Sequence, residues 1–299
     1  MSEQLFGIAL TQLTAEMSRR TLYCAKNAAG KYSVANCFAD EQGNVRYMRC
    51  EHVWENGKCS QCGANRAQYD RAETIENYAY PFIHKYLNEI FNNMQFDVII
   101  GNPPYQMSDG GDTEDRRRGG AIPLYHKFIQ QAKKLNPRFL IMIVPSRWFA
   151  GGRGLDEFRD EMLHDTRIRI IVDYPLSSEC FPGVEIKGGV CYFLWNKDQK
   201  GTCNVKTIRG DKVSICERNL LENGLDTFIR YNEAISILHK VRQFEEKSII
   251  ELVSSMKPFG LRTYVQGKSS QFPNSVTLYA NKSIGYISRD EITQNKQWI

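Results

Sequence analysis

Apolar runs of strand length divide this chain more clearly than any other feature. Residues 5–10 read as the end of a strand, and residues 32–40 form another candidate strand. Four longer runs, rich in β-branched or aromatic residues, predict buried strands at 96–100, 139–145, 168–175 and 188–195.

Between these runs, apolar residues recur at the spacing of a helix. In residues 12–24, for example, Leu13, Met17 and Thr21 fall on one helical face. Because strands that alternate with helices build parallel sheets, the pattern predicts an α/β fold with a mostly parallel, doubly wound sheet. The predicted helices are 12–24, about 76–92, about 124–135 and 155–163.

Two interruptions of this alternation of strands and helices predict the domain organisation. A polar, cysteine-bearing insertion occupies roughly residues 41–75, and after about residue 200 the elements become shorter and less regular. We therefore predict one domain over residues 1–199 and a second over residues 200–299.

Composition limits the classes of protein to consider. The 299 residues are 42% hydrophobic and 24% charged, which suits a globular chain and not a disordered tail. The longest buried-looking run, 139–144, is too short to span a bilayer, and no apolar segment follows basic residues at the N-terminus, so we expect a cytosolic protein without a membrane partner. Nine cysteines then favour thiols or metal ligands over disulfides, and the net charge of +5 hints mildly at a polyanionic partner.

The strand at 96–100 runs into the sequence Asn102-Pro103-Pro104-Tyr105. Two prolines cannot continue a ladder of backbone hydrogen bonds, and each fixes its φ at about −65°, so the loop is stiff. Ligands of open α/β sheets bind beyond the carboxyl ends of strands, where this loop is expected. The alternative is an ordinary turn that leaves a strand.

Four successive segments together resemble the catalytic half of γ-order adenine-N6 DNA methyltransferases of restriction–modification systems, the Eco57I-like methylase family. These segments are Asn-Pro-Pro-Tyr, FLIMIVPSRWF, IRIIVDYP and FPGVEIKGGVCYFLW. The resemblance covers residues 5 to about 196. It implies a Rossmann-like catalytic domain followed by a partial DNA target-recognition domain. It also implies methyl transfer from S-adenosylmethionine to a flipped-out adenine of double-stranded DNA, alongside a fused or separate restriction nuclease.

The chemistry of such a reaction explains the residue types of the loop. An adenine amino group is a weak nucleophile, and two hydrogen-bond acceptors against its N–H groups favour a more tetrahedral nitrogen. Asn102 can supply a side-chain oxygen and Pro103 a backbone carbonyl, while Pro104 stiffens the loop and Tyr105 can stack on the extruded base. By resemblance, Phe193 supplies a second aromatic wall, with Phe149 and Trp148 as weaker candidates. Tyr192, Phe193 and Trp195 could instead all be core residues of a buried strand.

The chain also departs from the family pattern. Family members carry a glycine-rich Asp-Pro-x-x-Gly-x-Gly loop for S-adenosylmethionine before the segment that corresponds to residues 5–10, and no such sequence occurs here. Ala9 stands where an acidic residue usually binds the ribose. Asp40 and Asn102 remain as candidate cofactor ligands, although Asp40 could be a plain loop carboxylate. We therefore expect an incomplete methyltransferase that depends on a fused or separate N-terminal segment.

The insertion carries a possible metal site. Cys50, His52, Cys59 and Cys62 offer four ligands of the kind that tetrahedral zinc takes, and Cys59 to Gly63 resembles a zinc knuckle. Because the short Cys50–His52 spacing is unusual, Cys37 could replace either residue. A set of reduced, metal-free cysteines is the alternative, and a zinc ion bound by four residues would be structural.

Basic and aromatic residues interleave near the C-terminus. Residues 252–289 contain no Asp or Glu, and their basic side chains predict phosphate contacts beside aromatic side chains that can reach bases. A solvated basic face is the alternative. The candidates for DNA binding are Lys257, Arg262 and Lys268.

Two other functions are compatible with the sequence. Asp173 followed by Glu185 and Lys187 fits, superficially, the pattern of metal-dependent nucleases. The chain could also be a DNA-binding fragment that keeps the base pocket but no cofactor. Binding of S-adenosylmethionine separates the methyltransferase from both.

Overall fold

The structure is a computed structural model of the chain, and it divides into two compact units, Met1–Ser236 and Ile237–Ile299. No helix of the described residues combines the length and the apolar character needed to cross a membrane. The residues that the structure describes are 3–35, 37–47, 51–70, 80–84, 94–107, 122–152, 154–246, 249, 259–262, 264–280 and 282–292.

A six-stranded sheet forms the centre of the first unit, and the four strands predicted from the long apolar runs all belong to it. The bounds of its strands are β5 Val98–Gly101, β8 Phe139–Pro145, β9 Ile168–Tyr174, β10 Val190–Asn196, β11 Cys203–Arg209 and β12 Lys212–Arg218. Their order in the sheet is β12-β11-β9-β10-β8-β5.

The strand directions correct the prediction of a mostly parallel sheet. Strand β10 lies between β8 and β9 and is antiparallel to both, and β12 is antiparallel to β11. Only the β5–β8 and β9–β11 pairings are parallel, so three of the five pairings are antiparallel and the sheet is mixed. The connection from β9 to β10 contains no α-helix, which allows β10 to return beside β9 in the opposite direction.

Two predicted helices cover one face of this sheet. They are α3, Tyr125–Lys134, and α4, Asp156–His164. Tyr125 packs edge-to-face on Phe158 at 6.2 Å, and Lys133 binds Glu161 at 2.9 Å, so the helices lie side by side. The core forms between them and the sheet side chains that alternate inward, including Leu140, Met142, Val144, Phe193 and Trp195.

The opposite face of the sheet is more open. Ile141 and Ile143 on this face are only partly buried, and Ile100, which pairs with Ile141, is 74% exposed. Within the described residues, β5 has a sheet partner on one edge only, which is β8. As far as the described residues show, the central sheet therefore ends in a strand with one unpaired edge and an exposed apolar side chain.

The predicted domain boundary after residue 199 does not coincide with the division between the units. Strand β11 extends the catalytic sheet beside β9, and β12 pairs with β11. The two strands form a hairpin through Gly210, so residues 203–218 cannot be separated from the sheet that they extend. The division instead falls inside the helix α5, Glu233–Arg242.

Short elements precede the central sheet. Strands β1 and β2 pair in parallel, whereas no strand forms among the described residues of 32–40, and that prediction is wrong. The second strand of the pair lies inside the predicted insertion, which therefore begins later than residue 41. The bounds are β1 Gly7–Ile8, α1 Gln12–Tyr23 and β2 Val45–Arg46.

Helix α1 confirms its prediction, but the face named from the sequence is not the buried one. Leu13 and Met17 are exposed, whereas Ala15 and Tyr23 are buried. Of the helix predicted at 76–92, only residues 80–84 are described, and Tyr80–Ile83 form a 3₁₀ turn. The rest of that prediction lies outside the described residues.

The cysteine-bearing insertion contains a small hairpin of β3, Trp54–Glu55, and β4, Lys58–Cys59, followed by the short helix α2, Arg66–Tyr69. Asn56 and Gly57 connect the strands with φ values of 50° and 76°. This Asn-Gly pair is the usual sequence of a two-residue hairpin turn that needs positive φ at both positions.

The second unit contains an antiparallel hairpin. Strand β13, Ser275–Ala280, pairs along its whole length with β14, Ser283–Ser288. Lys268 adds a bridge to Tyr286, with backbone hydrogen bonds in both directions. This bridge ties Lys268 to the hairpin.

Candidate functional site

The Asn-Pro-Pro-Tyr loop leaves the sheet at the carboxyl end of β5, as predicted. Two short strands after it, β6 Gln106–Met107 and β7 Ile122–Pro123, pair with each other. The Tyr105 carbonyl accepts a hydrogen bond of 3.0 Å from the Leu124 amide. The loop is therefore fixed at one end by β5 and at the other by this pairing, with two prolines between.

A cavity of about 760 Å³ borders the loop. Pro103 is buried, whereas Asn102 is exposed, so the loop backbone is anchored and its amide side chain remains accessible. The walls come from β1, β5, the loop and the segment after β9. The lining residues used below are Phe82, Asn102, Pro103, Tyr105, Phe181 and Val184.

Tyr105 contributes a ring to this cavity. Its hydroxyl is buried and has no hydrogen-bond partner among the described residues. Burial raises the pKa of Tyr105 to about 12, so the phenol is neutral at physiological pH. A neutral ring beside a cavity suits stacking. Because the phenol stays protonated, Tyr105 cannot act as a general base that removes a proton from the substrate.

Phe181 is another aromatic residue of the cavity lining, and it was not among the predicted site residues. Ser177 positions the segment: its hydroxyl donates to the Val184 carbonyl at 2.9 Å and accepts from the Ile186 amide at 2.7 Å. The Phe181 amide also donates to the Ser177 carbonyl at 2.7 Å. The available signal was an aromatic residue directly before a proline and a glycine, between two strands of the sheet.

The aromatic residues that were selected for this wall do not line the cavity. Phe193 is fully buried on the helix-covered face, opposite Met142 on β8. Trp148 and Phe149 are also core residues, since Trp148 packs on Phe158 at 5.9 Å and Phe149 on Phe228 at 4.5 Å. Alternation along β10 explains the error, because its inward residues face the helices.

Asp40, the other predicted cofactor ligand, serves its own loop. Its Oδ1 atom accepts hydrogen bonds of 2.9 Å from the amides of Gln42 and Gly43, and Arg46 lies 3.6 Å from Oδ2. It does not line the cavity beside the loop. The geometry favours the alternative, a loop carboxylate.

The described lining suits a flat base better than the charged amino-acid group and ribose hydroxyls of S-adenosylmethionine. Apolar and aromatic side chains dominate the described lining, which contains no Asp, Glu, Lys or Arg. An extruded base needs aromatic walls and a few hydrogen-bond acceptors, which Tyr105, Phe181 and Asn102 provide. A charged amino-acid group and ribose hydroxyls need polar partners that this lining lacks.

Three of the predicted metal ligands lie together in the insertion. His52, Cys59 and Cys62 form a cluster with His84, and the four ligand atoms lie within 4.8 Å of one another. Cys50 lies outside the described residues, and Cys37 is exposed and not part of the cluster. Sequence reasoning missed His84 because it follows the 3₁₀ turn, far from the cysteines along the chain.

The nuclease pattern does not assemble. Asp173 is buried at the end of β9, where both carboxylate oxygens accept hydrogen bonds from Arg230 and one accepts from Ser146 at 2.6 Å. Glu185 and Lys187 are exposed on the segment after Phe181. A carboxylate already paired with a guanidinium is a poor ligand for a divalent cation.

The predicted DNA-binding residues lie in the second unit. Arg262 and Lys268 are exposed, and the Lys268 ammonium lies 4.5 Å from the centre of the Phe272 ring. Tyr264 and Tyr279 are exposed nearby in sequence. Lys257 lies outside the described residues.

The mixed α/β sheet, with a stiff loop and a cavity at the carboxyl end of β5, places the chain among α/β proteins that have a ligand site at a strand end. Comparison with known proteins defines the family. The model of the Eco57I restriction-modification methylase family matches residues 3–181, and the chain belongs to this family.

One similar protein agrees with this assignment. A protein described as an uncharacterized adenine-specific methylase from Mycoplasma pneumoniae is 37% identical over 253 residues, which cover 76% of this chain and 59% of that protein. The match thus spans little more than half of the relative's length. Among solved structures, the methyltransferase subunit of a type I restriction-modification system from Streptococcus thermophilus is 14% identical, with a TM-score of 0.27 over 52% of this chain and 33% of that one. The type IIL restriction-modification enzyme MmeI in complex with DNA is 11% identical, with a TM-score of 0.33 over 47% and 21%.

Proposed function

We propose that this chain carries the adenine-binding part of a site-specific DNA adenine-N6 methyltransferase of a restriction–modification system. The observation that carries the proposal is the Asn-Pro-Pro-Tyr loop of a family member, fixed at both ends and bordering a cavity lined mainly by apolar and aromatic residues. The substrate is double-stranded DNA, from which the target adenine must leave the stack to reach the loop.

The loop acts through acceptors. The side-chain oxygen of Asn102 and the carbonyl of Pro103 accept hydrogen bonds from the two N–H groups of the adenine amino nitrogen. This draws the nitrogen toward a tetrahedral geometry, with its lone pair directed away from the ring. Pro103 and Pro104 restrict the backbone, so the acceptors need no rearrangement when the base arrives.

Two rings hold the base in place. Tyr105 and Phe181 line the same cavity from different segments, and stacking of a base on an aromatic ring is worth about 1–3 kcal/mol. Phe181 replaces Phe193 in this proposal, because Phe193 is buried in the core. The neutral Tyr105 phenol contributes its apolar surface to the wall.

Family membership implies S-adenosylmethionine as the methyl donor. The described lining offers no charged partner for it, and the 299 residues contain no glycine-rich loop of the expected type. We propose that its polar contacts come from a glycine-rich segment of the family type. Each missing charge-assisted hydrogen bond costs about 1.5–3 kcal/mol, so the chain alone should transfer little or no methyl.

The test measures transfer of labelled methyl from S-adenosylmethionine to unmethylated duplex DNA. The chain alone should show little activity, and the chain supplied with the glycine-rich segment should methylate adenine at N6. In the completed protein, Asn102→Ala should reduce the rate by at least about a hundredfold, as removal of one preorganised polar group does elsewhere. Asn204→Ala, on the exposed side of β11, is the matched control and should leave the rate unchanged.

The alternatives predict different results. Robust transfer by the chain alone would refute the need for a further segment. Transfer that survives Asn102→Ala would refute the role of the loop. DNA binding without any transfer, even in the completed protein, would identify a DNA-binding fragment instead.

A further inference from the structure

Two histidines and two cysteines converge at the insertion, from three separate segments. The Cys62 Sγ atom lies 3.4 Å from His52 Nδ1, and Cys59 Sγ lies 3.8 Å from His84 Nε2. In a tetrahedral zinc site, bonds of about 2.0–2.3 Å separate neighbouring ligand atoms by roughly 3.3–3.8 Å. The two distances therefore match the edges of such a tetrahedron.

The surroundings of the cluster also suit a metal. Cys59, Cys62 and His84 are buried, with exposures of 3%, 1% and 1%. The Ala64 amide donates to the Cys62 sulfur at 3.4 Å, an interaction that stabilises a thiolate. The His84 ring presents its Nε2 atom to the Cys59 sulfur.

The local backbone brings the sulfur atoms together. The β3–β4 hairpin ends at Cys59, and the Gly63 amide donates to the Cys59 carbonyl at 2.9 Å, which closes a tight turn around Cys62. Gly63 has a φ of +81°, a conformation that glycine adopts without strain. Lys127 of helix α3 donates to the Gln61 carbonyl at 3.0 Å, which fixes the turn to the central fold.

We propose that His52, Cys59, Cys62 and His84 bind one zinc ion in a closed structural site. Two thiolates and two neutral imidazoles neutralise a divalent charge and favour zinc over the hard cations that prefer oxygen ligands. Four protein ligands leave no open position for a reaction. The ligand set differs from the set predicted by spacing, because His84 stands in the place given to Cys50.

The site would connect the insertion to the wall of the base cavity. His84 directly follows the turn that contains Phe82, and Phe82 lines the cavity and stacks on Phe128 of helix α3 at 5.8 Å. Zinc would therefore join the cysteine hairpin to the segment that supplies this wall. Removal of the metal should loosen both together.

The first experiment measures metal content and affinity. The chain, purified without chelator, should contain about one equivalent of zinc, as a four-ligand site requires. His84→Gln should raise the zinc dissociation constant by at least a hundredfold in competition with a chromophoric chelator, because loss of an outer partner alone costs about ten- to hundredfold. His126→Gln, a half-buried histidine of helix α3 outside the cluster, is the matched control and should bind as the unchanged chain does.

The Cys50→Ser variant distinguishes the two ligand sets. Zinc affinity that is unchanged in Cys50→Ser and lost in His84→Gln supports the proposal. The reverse pattern would overturn it in favour of the set predicted from spacing. A chain that folds with no zinc in the presence of chelator, and gains no stability when zinc is added, would refute the site altogether.

A second measurement covers the case in which a variant fails to fold. Cysteines of the unchanged chain are alkylated with and without a zinc chelator, and the modified positions are mapped. Cys59 and Cys62 should react only after chelation, whereas the exposed Cys24 and Cys37 should react in both conditions. Equal reactivity of Cys59 and Cys62 in both conditions would overturn the proposal.

Discussion

The Arg230 guanidinium donates two hydrogen bonds to the Asp173 carboxylate, across a separation of 57 residues in the chain. Asp173 is fully buried at the end of β9, and Arg230 follows the hairpin that extends the central sheet. Ser146, at the end of β8, adds a third hydrogen bond. The pairing joins the segment around Arg230 to the central sheet, within the first unit, which extends to Ser236.

Arg230→Gln should therefore destabilise the chain strongly. It leaves a buried carboxylate without its charged partner, and such a change costs about 3–5 kcal/mol in the free energy of unfolding. Chemical denaturation followed by circular dichroism measures it. Arg138→Gln removes an ion pair to Asp198 that is exposed on both sides and should cost less than about 1 kcal/mol; equal losses would contradict the prediction.

Asp165 should make the unfolding free energy depend on pH. Burial alone raises the pKa of Asp165, but hydrogen bonds from Arg167 and Lys133, the charge of Lys133 and the Trp195 indole outweigh it and hold the pKa well below its usual range. The unfolded state then binds the proton first, so this contribution is present above about pH 4 and is lost as the pH falls toward the folded pKa.

The measurement compares Asp165→Asn with the unchanged chain at several pH values. Asp165→Asn should cost about 1–3 kcal/mol at pH 7, and the difference should shrink below about pH 4. Asp198→Asn, at an exposed pair, should show no comparable difference at pH 7. A gap between Asp165→Asn and the unchanged chain that is constant from pH 7 to pH 3 would disprove this role.

Phe181 and Phe193 should respond in opposite ways to replacement by alanine. Phe181→Ala should leave stability nearly unchanged but slow methyl transfer by the completed protein about ten- to hundredfold, since one base-stacking contact is lost. Phe193→Ala should lower the unfolding free energy by about 3–5 kcal/mol, because it empties a fully buried site. Methyl-transfer kinetics and chemical denaturation are measured on both variants. A Phe193→Ala variant that is stable but inactive would support Phe193, and not Phe181, as the second aromatic wall.

The basic residues of the second unit should control the salt dependence of DNA binding. Replacing Lys257, Arg262 and Lys268 together by glutamine should weaken binding to all sequences, and should reduce the slope of log affinity against log salt by about 0.9 per phosphate contact. Lys200→Gln with Lys212→Gln, on the first unit, is the control pair. An unchanged slope in the triple variant would favour the alternative, in which these basic residues form a solvated face and do not contact phosphates.

Local pattern was sufficient to predict the elements that form the core. The strands at 139–145 and 168–175 and the helix at 155–163 were recognisable because apolar runs and helical spacing are properties of neighbouring residues. Strand pairing is not such a property. The position of β10 between β8 and β9, and the extension of the sheet by β11, depend on contacts between distant segments.

The same distinction applies to the candidate sites. The stiffness of the loop at Asn102 follows from its own prolines, and the loop stands where it was expected. Phe181 and His84 could not be chosen by spacing, since each reaches its site through the path of a separate segment. Phe193 was wrongly assigned to the cavity. The sequence around it shows that strand β10 is buried, but it does not show which face of β10 points toward the helices.

The open edge of β5 has a consequence for handling the protein. Its backbone groups face away from β8 without a strand partner among the described residues, and Ile100 offers an apolar side chain that is 74% exposed. Such an edge is a template on which another chain can add a strand. At high concentration the isolated chain should therefore aggregate through β5. Replacement of Ile100 by a charged residue should reduce this aggregation.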